Sequence, residues 1–274
     1  MTDPQPKTKE FAFFDHRDGA SPLRVPPHLH RELELVCLFE GSLSVRVDTQ
    51  LCELRAGDLL LIFPEQVHSF EDEQDARYYR IRVSPDLFPD LALHFDGRVP
   101  EQPILIGALY LSKISSLLEA LEEVVRSTEA EHEYSQSVCR GYLLALLSEL
   151  CAMTSFRRVG GETTTIRAIV AFCTANFAED LSLDLLAERL GLNKFYISHL
   201  FGEGIGLPFN DFVNFLRIRE ACRYLRHTSL PVSDVCELVG FNTPRTFNRA
   251  FIKHFGTSPS EYRRSGAGAE KSSG

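Results

Sequence analysis

From Pro22 to about Arg82, apolar and polar residues alternate with period two. In ELELVCLFEG, Leu33, Leu35, Cys37 and Phe39 share one face, and Glu32, Glu34 and Glu40 share the other. Successive side chains of a strand point to opposite faces, so the pattern predicts strands with one face on a core. Turn residues punctuate it at Gly41-Ser42, Asp48-Thr49-Gln50 and Ala56-Gly57-Asp58, and LLLIF (59–63) runs into Pro64. Short antiparallel strands forming an all-β sandwich or small barrel are expected. The period then lengthens. Leu109, Ile114, Leu117, Leu118, Leu121 and Val124/Val125 recur at helical spacing; after a polar break at 127–133, so do Val138, Tyr142, Leu143, Leu146, Leu147 and Leu150. Two helices near 111–126 and 136–152 should either cap the β domain or offer a leucine-rich surface for self-association.

Residues 157–165, RRVGGETTT, join two adjacent glycines to a polar run and mark the expected linker between a domain at 1–156 and one at 166–264. The second half reads as helical throughout, over about 164–178, 182–190, 193–201, 208–227, 233–239 and 244–255. Gly256 and Pro259 are read as stopping the last helix, and 265–274 as a disordered tail.

Composition changes this picture little. A chain of 274 residues, 44% apolar, can bury a core in each half. The net charge is −9, but 26 of the 38 acidic residues precede Gly160, against 16 of the 29 Lys and Arg. The nearly neutral second half can still present a basic face, because a nucleic-acid footprint depends on where charges point. GFNTPRTFNRAFIKHFGTSPSEYRR, 240–264, is such a stretch. The seven cysteines are odd in number and scattered without a CxxC pair, as for reduced core thiols of a cytoplasmic protein. Neither the N-terminus nor any apolar run suits a signal peptide or a membrane span, so no membrane partner is expected. No nucleophile with its base, no glycine-rich phosphate loop and no paired carboxylates stand out, so the chain is not expected to be an enzyme.

Residues 181–201, LSLDLLAERLGLNKFYISHLF, align with LPVSDVCELVGFNTPRTFNRAF, 230–251, on Gly191 and Gly240. Leu181 meets Leu230, Ala187 meets Cys236 and Leu190 meets Val239. Ile197 and Phe201 meet Phe247 and Phe251 with a one-residue slip. Each copy reads as a short helix, a glycine turn and a second helix opened by a capping residue, Asn193 or Thr243: helix-turn-helix grammar. Between them PFNDFVNFLRIREACRYLRHTS carries an apolar stripe, Phe212, Phe215, Leu216, Ile218, Ala221, Cys222 and Leu225, bordered by Arg217, Arg219, Arg223 and Arg226. About 20 helical residues span about 30 Å, close to the ~34 Å between successive major grooves on one DNA face.

On VCELVGF (235–241), TFNRAF (246–251) and KHFGTSPSEYR (253–263), residues 166–264 resemble the double helix-turn-helix domain of the AraC/XylS family of bacterial transcription regulators. Gly202-Glu203 stands where that family usually has a basic pair, which weakens the first unit's expected grip on DNA. The resemblance implies DNA contacts from Lys194, Phe195, Ser198 and His199 in the first reading helix, and from Arg245, Thr246, Asn248 and Arg249 in the second. Arg can bridge guanine O6 and N7, and Asn can pair with adenine. Lys253, Arg217 and Arg219 are expected to touch phosphates or solvent.

The order His28-Leu29-His30, Glu34, Gly41, Gly57, Pro64 and His68 resembles the ligand order of a cupin barrel. The implied fold is a cupin-like jelly-roll barrel with two following helices, joined to an all-α tandem helix-turn-helix with a linker helix. His28, His30, Glu34 and His68 could suit Fe, Mn, Ni or Zn. The resembled regulators commonly keep this pattern without metal, and a glycine is missing between Pro64 and His68, so contact with a small-molecule effector is expected, with no metal or cofactor. The resemblance further implies a homodimer, a double-stranded operator, RNA polymerase as a partner and activation of catabolic, carbohydrate-related genes. The rival readings are a metal-dependent cupin enzyme with a DNA-binding appendage, and a regulator without an effector.

Overall fold

A computed structural model describes residues 12–18, 25–95, 97–127 and 135–269. The expected strand start at Pro22, most of the polar break at 127–133 and residues 270–274 of the expected tail lie outside the described residues. Two compact units result, one within Pro6–Arg167 and the other within Ala168–Gly274.

The first unit is built on β1 (Ala12–Asp18), β2 (Val25–His28), β3 (Leu33–Val47), β4 (Gln50–Arg55), β5 (Leu59–Ile62) and β6 (His68–Val83). A short helix α1 (Pro89–Phe95), strands β7 (Arg98–Pro100) and β8 (Ile104–Leu105), helices α2 (Ser112–Ser127) and α3 (Ser135–Ala152), and β9 (Phe156–Arg158) complete it. The antiparallel barrel sheet runs β1-β6-β3-β5-β8, with β2 added to β6 and β4 to β3. The long strands β3 and β6 pair along both their halves, and register shifts between Leu38 and Val45 let them bend. Gly41-Ser42 therefore lies within β3 and is not a turn. Gly41 has φ 76°, and a Cβ there would stand 2.2 Å from the Gln74 carbonyl oxygen. A bulge and a tight turn make the same demand for positive φ, which is why the sequence suggested the turn.

Both faces of β3 are buried, not one. Val36, Leu38, Leu43 and Val45 pack inside the barrel with Leu60, Ile62, Phe70 and Tyr78. Leu33, Leu35 and Cys37 face a second core supplied by Ile114, Leu118 and Leu121 of α2 and Leu143, Leu146, Leu147 and Leu150 of α3. The two helices thus cap the β domain, while Val138 and Leu144 of α3 remain 44% and 43% exposed. All seven cysteines are free, and burial pushes the Cys37, Cys52 and Cys173 thiols up to about 12. Among the described residues no helix is long and apolar enough to cross a membrane.

Residues 157–165 are not an irregular linker. Arg157 and Arg158 belong to β9, which pairs with β7, and α4 (Gly161–Asn176) begins at the second glycine. The division between the units falls inside α4. Gly161 is followed by a threonine run whose backbone turns helical; Thr164 and Thr165 hydroxyls donate to the Gly160 and Gly161 carbonyls. The helical unit continues with α5 (Leu183–Leu190), α6 (Lys194–His199), a π-helical turn at Leu200–Ile205, α7 (Phe209–His227), α8 (Val232–Leu238), α9 (Pro244–Phe255) and α10 (Pro259–Ala269). The long α7 buries Ile218, Ala221, Cys222 and Leu225 against Val235, Val239, Phe247 and Phe251 of the second copy. At its other end Phe212 and Phe209 meet Phe201 of the first copy, ring centroids 5.6 and 5.3 Å apart.

Pro259 starts a helix where a stop was expected, and this helix takes in the first residues of the expected tail, 265–269. Proline at the first helical position lacks only an N–H that has no partner there anyway. Ser258 and Glu261 form a reciprocal cap: the Glu261 carboxylate accepts from Ser258 N–H at 2.8 Å, and Ser258 Oγ accepts from Glu261 N–H at 3.3 Å. Tyr262 then packs on Phe251 and Phe255.

The two turn glycines differ in what they tolerate. Gly191 has φ 65° with no atom within 4 Å of a Cβ, whereas a Cβ on Gly240 (φ 85°) would stand 2.5 Å from the Ala178 carbonyl oxygen. Gly191→Ala is expected to cost about 1 kcal/mol from φ alone, and Gly240→Ala about 3 kcal/mol because backbone must also move. Thermal unfolding of the two variants checks the order; equal losses would count against it.

Candidate nucleic-acid interface and barrel site

The second helix of each repeat copy is oriented by a cap at its start and by apolar residues on its inner face. Asn193 Oδ1 accepts from Phe195 N–H at 2.8 Å and opens α6, while Ile197, Leu200 and Phe201 are buried. Lys194, Phe195, Ser198 and His199 are left exposed, Phe195 to 76%. In α9, Thr243 Oγ1 accepts from Thr246 N–H at 3.2 Å, and Phe247 and Phe251 are fully buried. Arg245, Thr246, Asn248 and Arg249 are exposed. All eight residues singled out from the sequence therefore lie on the outer faces of the two second helices.

The two faces differ in charge. Lys194 Nζ is 2.9 Å from Asp184 Oδ1 on α5, and His199 Nδ1 is 3.5 Å from Glu203 Oε1. Arg245 and Arg249 have no acidic partner among the described residues. Arg249 and Thr246 stand on the wall of a cleft of about 440 Å³ between α9 and α7. Thr246 Oγ1 already donates to the Thr243 carbonyl at 2.8 Å, so part of its hydrogen-bonding capacity goes to the cap. Two of the expected phosphate contacts are otherwise engaged. Arg217 donates from Nε to the Phe177 carbonyl (2.8 Å) and from Nη2 to the Glu179 carbonyl (2.7 Å), fastening α7 to the end of α4, and Lys253 Nζ pairs with Asp211 at 2.8 Å.

In the barrel unit, β2 ends at His28 opposite His68 at the start of β6, and His30 lies just before β3. Ring centroids of His68 are 4.1 Å from His28 and 4.8 Å from His30. Glu34 joins them: its Oε2 is 3.0 Å from His30 Nε2 and 3.8 Å from His68 Nε2. The four residues picked from the sequence thus form one cluster, with Glu34 and His68 each 1% exposed. Burial pushes the His68 imidazole down to about 4. Burial would raise Glu34, but the His30 hydrogen bond and the positive fields of the histidines and Arg80 outweigh it and hold the carboxyl at about 2. At neutral pH the cluster therefore holds an ionised carboxylate beside a neutral His68.

A buried clamp orients His68. Asp48 accepts from Gln66 Nε2 at 2.9 Å and from Val67 N–H at 3.2 Å, and Gln66 Oε1 accepts from Phe63 N–H at 2.8 Å. His68 Nδ1 in turn meets the Gln66 carbonyl at 3.0 Å. Glu65 takes φ 62° in this turn, so the turn forms without the glycine that the sequence lacks there. Sequence reasoning missed Arg80 and Arg82. They sit opposite Val36 and Glu34 across the ladder, on the inward parity of β6. The signal available was RIRV (80–83), in which Arg80 and Arg82 alternate with Ile81 and Val83 of the helix-covered face.

A family model described as an AraC-like ligand binding domain matches residues 11–150, and one described as a helix-turn-helix domain matches 186–265. The HTH-type transcriptional activator RhaR of Shigella dysenteriae is 22% identical over 245 residues, covering 86% of this chain and 86% of that protein. The lactose operon transcription activator of Staphylococcus xylosus is 30% identical over 98 residues, 36% of this chain and 35% of that protein. The chain spans only 30% of the length of longer HTH-type transcriptional regulators of Staphylococcus aureus. Among solved structures, ToxT from Vibrio cholerae superposes with TM-score 0.55 at 13% identity, covering 93% of this chain and 98% of that one. The relatives found by sequence are named as transcriptional regulators or activators.

Asp48→Asn keeps the side chain's size and its tolerance of positive φ, but sets an amide N–H₂ against that of Gln66. A loss of about 1–3 kcal/mol from the barrel unit is expected by denaturant unfolding. An unchanged midpoint would mean that the clamp contributes nothing.

Proposed function

Because the chain belongs to the AraC family of DNA-binding transcriptional regulators, we propose that α6 and α9 read a double-stranded operator while the barrel takes a small-molecule effector. The observation that carries this reading is the pair of capped helices whose outer faces bear Lys194, Phe195, Ser198 and His199 in one copy, and Arg245, Thr246, Asn248 and Arg249 in the other. The 19 residues of α7 span about 28 Å, a length suited to holding two reading helices in neighbouring grooves. Arg245 and Arg249, without acidic partners, carry most of the discrimination. Lys194 and His199, each beside an acid, contribute less.

His28, His30, Glu34 and His68 contact the effector, with Arg80 adding positive charge to the same region. The effector acts only through a difference in affinity between two states of the protein. The chain path from barrel to reading helices runs through β9 and α4, so these elements transmit that difference. The exposed Val138 and Leu144 of α3 support a homodimer formed through the helices that follow the barrel. Names of relatives support an activator, for which RNA polymerase would be the partner, and the lactose operon activator supports carbohydrate-related targets.

Binding-site selection from a random DNA library, followed by gel-shift titration, tests the reading. Arg245→Ala and Arg249→Ala are each expected to weaken the selected site by about 1–3 kcal/mol and relax its sequence, with unfolding unchanged. Lys194→Ala should lose less than about 1 kcal/mol. Binding of the selected site no tighter than random DNA, or arginine variants with intact preference, would refute the assignment.

A further inference from the structure

We propose that His28, His30 and His68, completed by the Glu34 carboxylate, bind one divalent first-row transition-metal ion in the barrel. The ion would occupy the four residues assigned above to effector contact, so the inference deepens that part of the reading, and it is independent of what the helical unit binds.

Three stretches of chain, the end of β2, the segment before β3 and the start of β6, bring one imidazole nitrogen each within 4.8 Å of the others. The orientation of the rings is set from outside the cluster. A carbonyl oxygen only accepts, so the contact of His68 Nδ1 with the Gln66 carbonyl puts the proton on Nδ1 and turns the Nε2 lone pair inward. That Nε2 is buried and has no hydrogen-bond partner, and neither has Glu34 Oε1. His30 Nδ1 meets the Glu32 carbonyl at 3.0 Å and its Nε2 is hydrogen-bonded to Glu34 Oε2 at 3.0 Å, so an ion bound there would take the place of the Nε2 proton. A backbone carbonyl behind each ring is the outer support that imidazole ligands of metals ordinarily have.

A metal ion would answer these unmet demands together. Bonds of about 2.1 Å place neighbouring ligand atoms about 3–3.4 Å apart, so binding would draw the rings inward by roughly 1 Å. Three imidazoles and one carboxylate suit a borderline cation such as zinc or nickel, not calcium or magnesium, which take oxygen alone. His30, with 13% of its side chain exposed, leaves a way in from solvent.

The test uses the full chain, stripped with EDTA, exposed to a small excess of Zn(II) or Ni(II), desalted and assayed for metal content. About one ion per chain and a raised melting temperature are expected, with no retention of Mg(II). His30→Ala should lower the affinity at least about tenfold, and so should His28→Ala, whose partly exposed position protects the fold. Co(II) should give visible bands of nitrogen and oxygen ligation in the parent, lost in both variants. Less than about a tenth of an ion per chain, or undiminished binding in folded His28→Ala, would overturn the proposal. Gel shifts on the same samples separate the two readings: DNA binding without metal removes only the ion site, and metal without DNA binding removes only the operator contacts.

Discussion

β3 carries apolar side chains on both faces because it closes the barrel on one side and supports α2 and α3 on the other. Leu33, Leu35 and Cys37 belong to the outer core, and Val36, Leu38, Leu43 and Val45 to the inner one. A one-residue slip against β6 would exchange the two sets and empty both cores, so the register is held by the packing itself. Glu34 follows from that register. It has inward parity between Leu33 and Leu35, where an ionised carboxylate would cost several kcal/mol if it stood alone. His30, His68 and Arg80 are therefore part of what permits the strand to sit there, and the polar cluster and the apolar cores specify the same alignment.

The helical unit obeys the same constraint with period 3.6. Once Ile197 and Phe201, or Phe247 and Phe251, are buried, the outward residues of each second helix are determined, and Asn193 and Thr243 fix where each helix begins. The copies are thus alike in fold and unlike in charge. An exposed pair such as Lys194 with Asp184 contributes at most about 1 kcal/mol, which phosphates or bases can displace at a similar cost. Arg245 and Arg249 would incur no such cost, so on the proposed reading α9 would be the better placed reader and α6 its weaker companion. The negative net charge is no obstacle, because 26 of the 38 acids precede Gly160.

Where local rules decide, the sequence was legible. The bounds of α7 and α9, the repeat and its caps all follow from periodicity and short-range chemistry, and the HxH…E…H spacing led to four residues that converge. Residues whose role depends on distant chain were not legible. Arg217 reads as a solvent-facing cation on its helix, and only the arrival of the α4 terminus makes it a fastener for the Phe177 and Glu179 carbonyls. Arg80 and Arg82 look like the wet face of an alternating strand, yet the barrel interior here is itself polar near Glu34. Gly41 marks a bulge, not a turn, since one positive φ serves both. Ser258-Pro259-Ser260-Glu261 was legible and misread: proline after a glycine stop also begins helices, and the Glu261 partner three residues beyond Ser258 was the sign.

The cluster's unmet hydrogen-bonding capacity bears on how a signal could travel. A buried polar atom left without a partner costs about 1–3 kcal/mol, and the barrel contains at least two, His68 Nε2 and Glu34 Oε1. A ligand that satisfied them would gain that energy only in a conformation that presents them. A gain of that size would lie in the 1–3 kcal/mol range typical of coupling between sites. His68 is tied through Gln66 to Asp48 and Val67, so whatever settles the cluster also settles the turn between β5 and β6. A ligand bound at such a site would favour that conformation by relieving the deficit, with no large movement required.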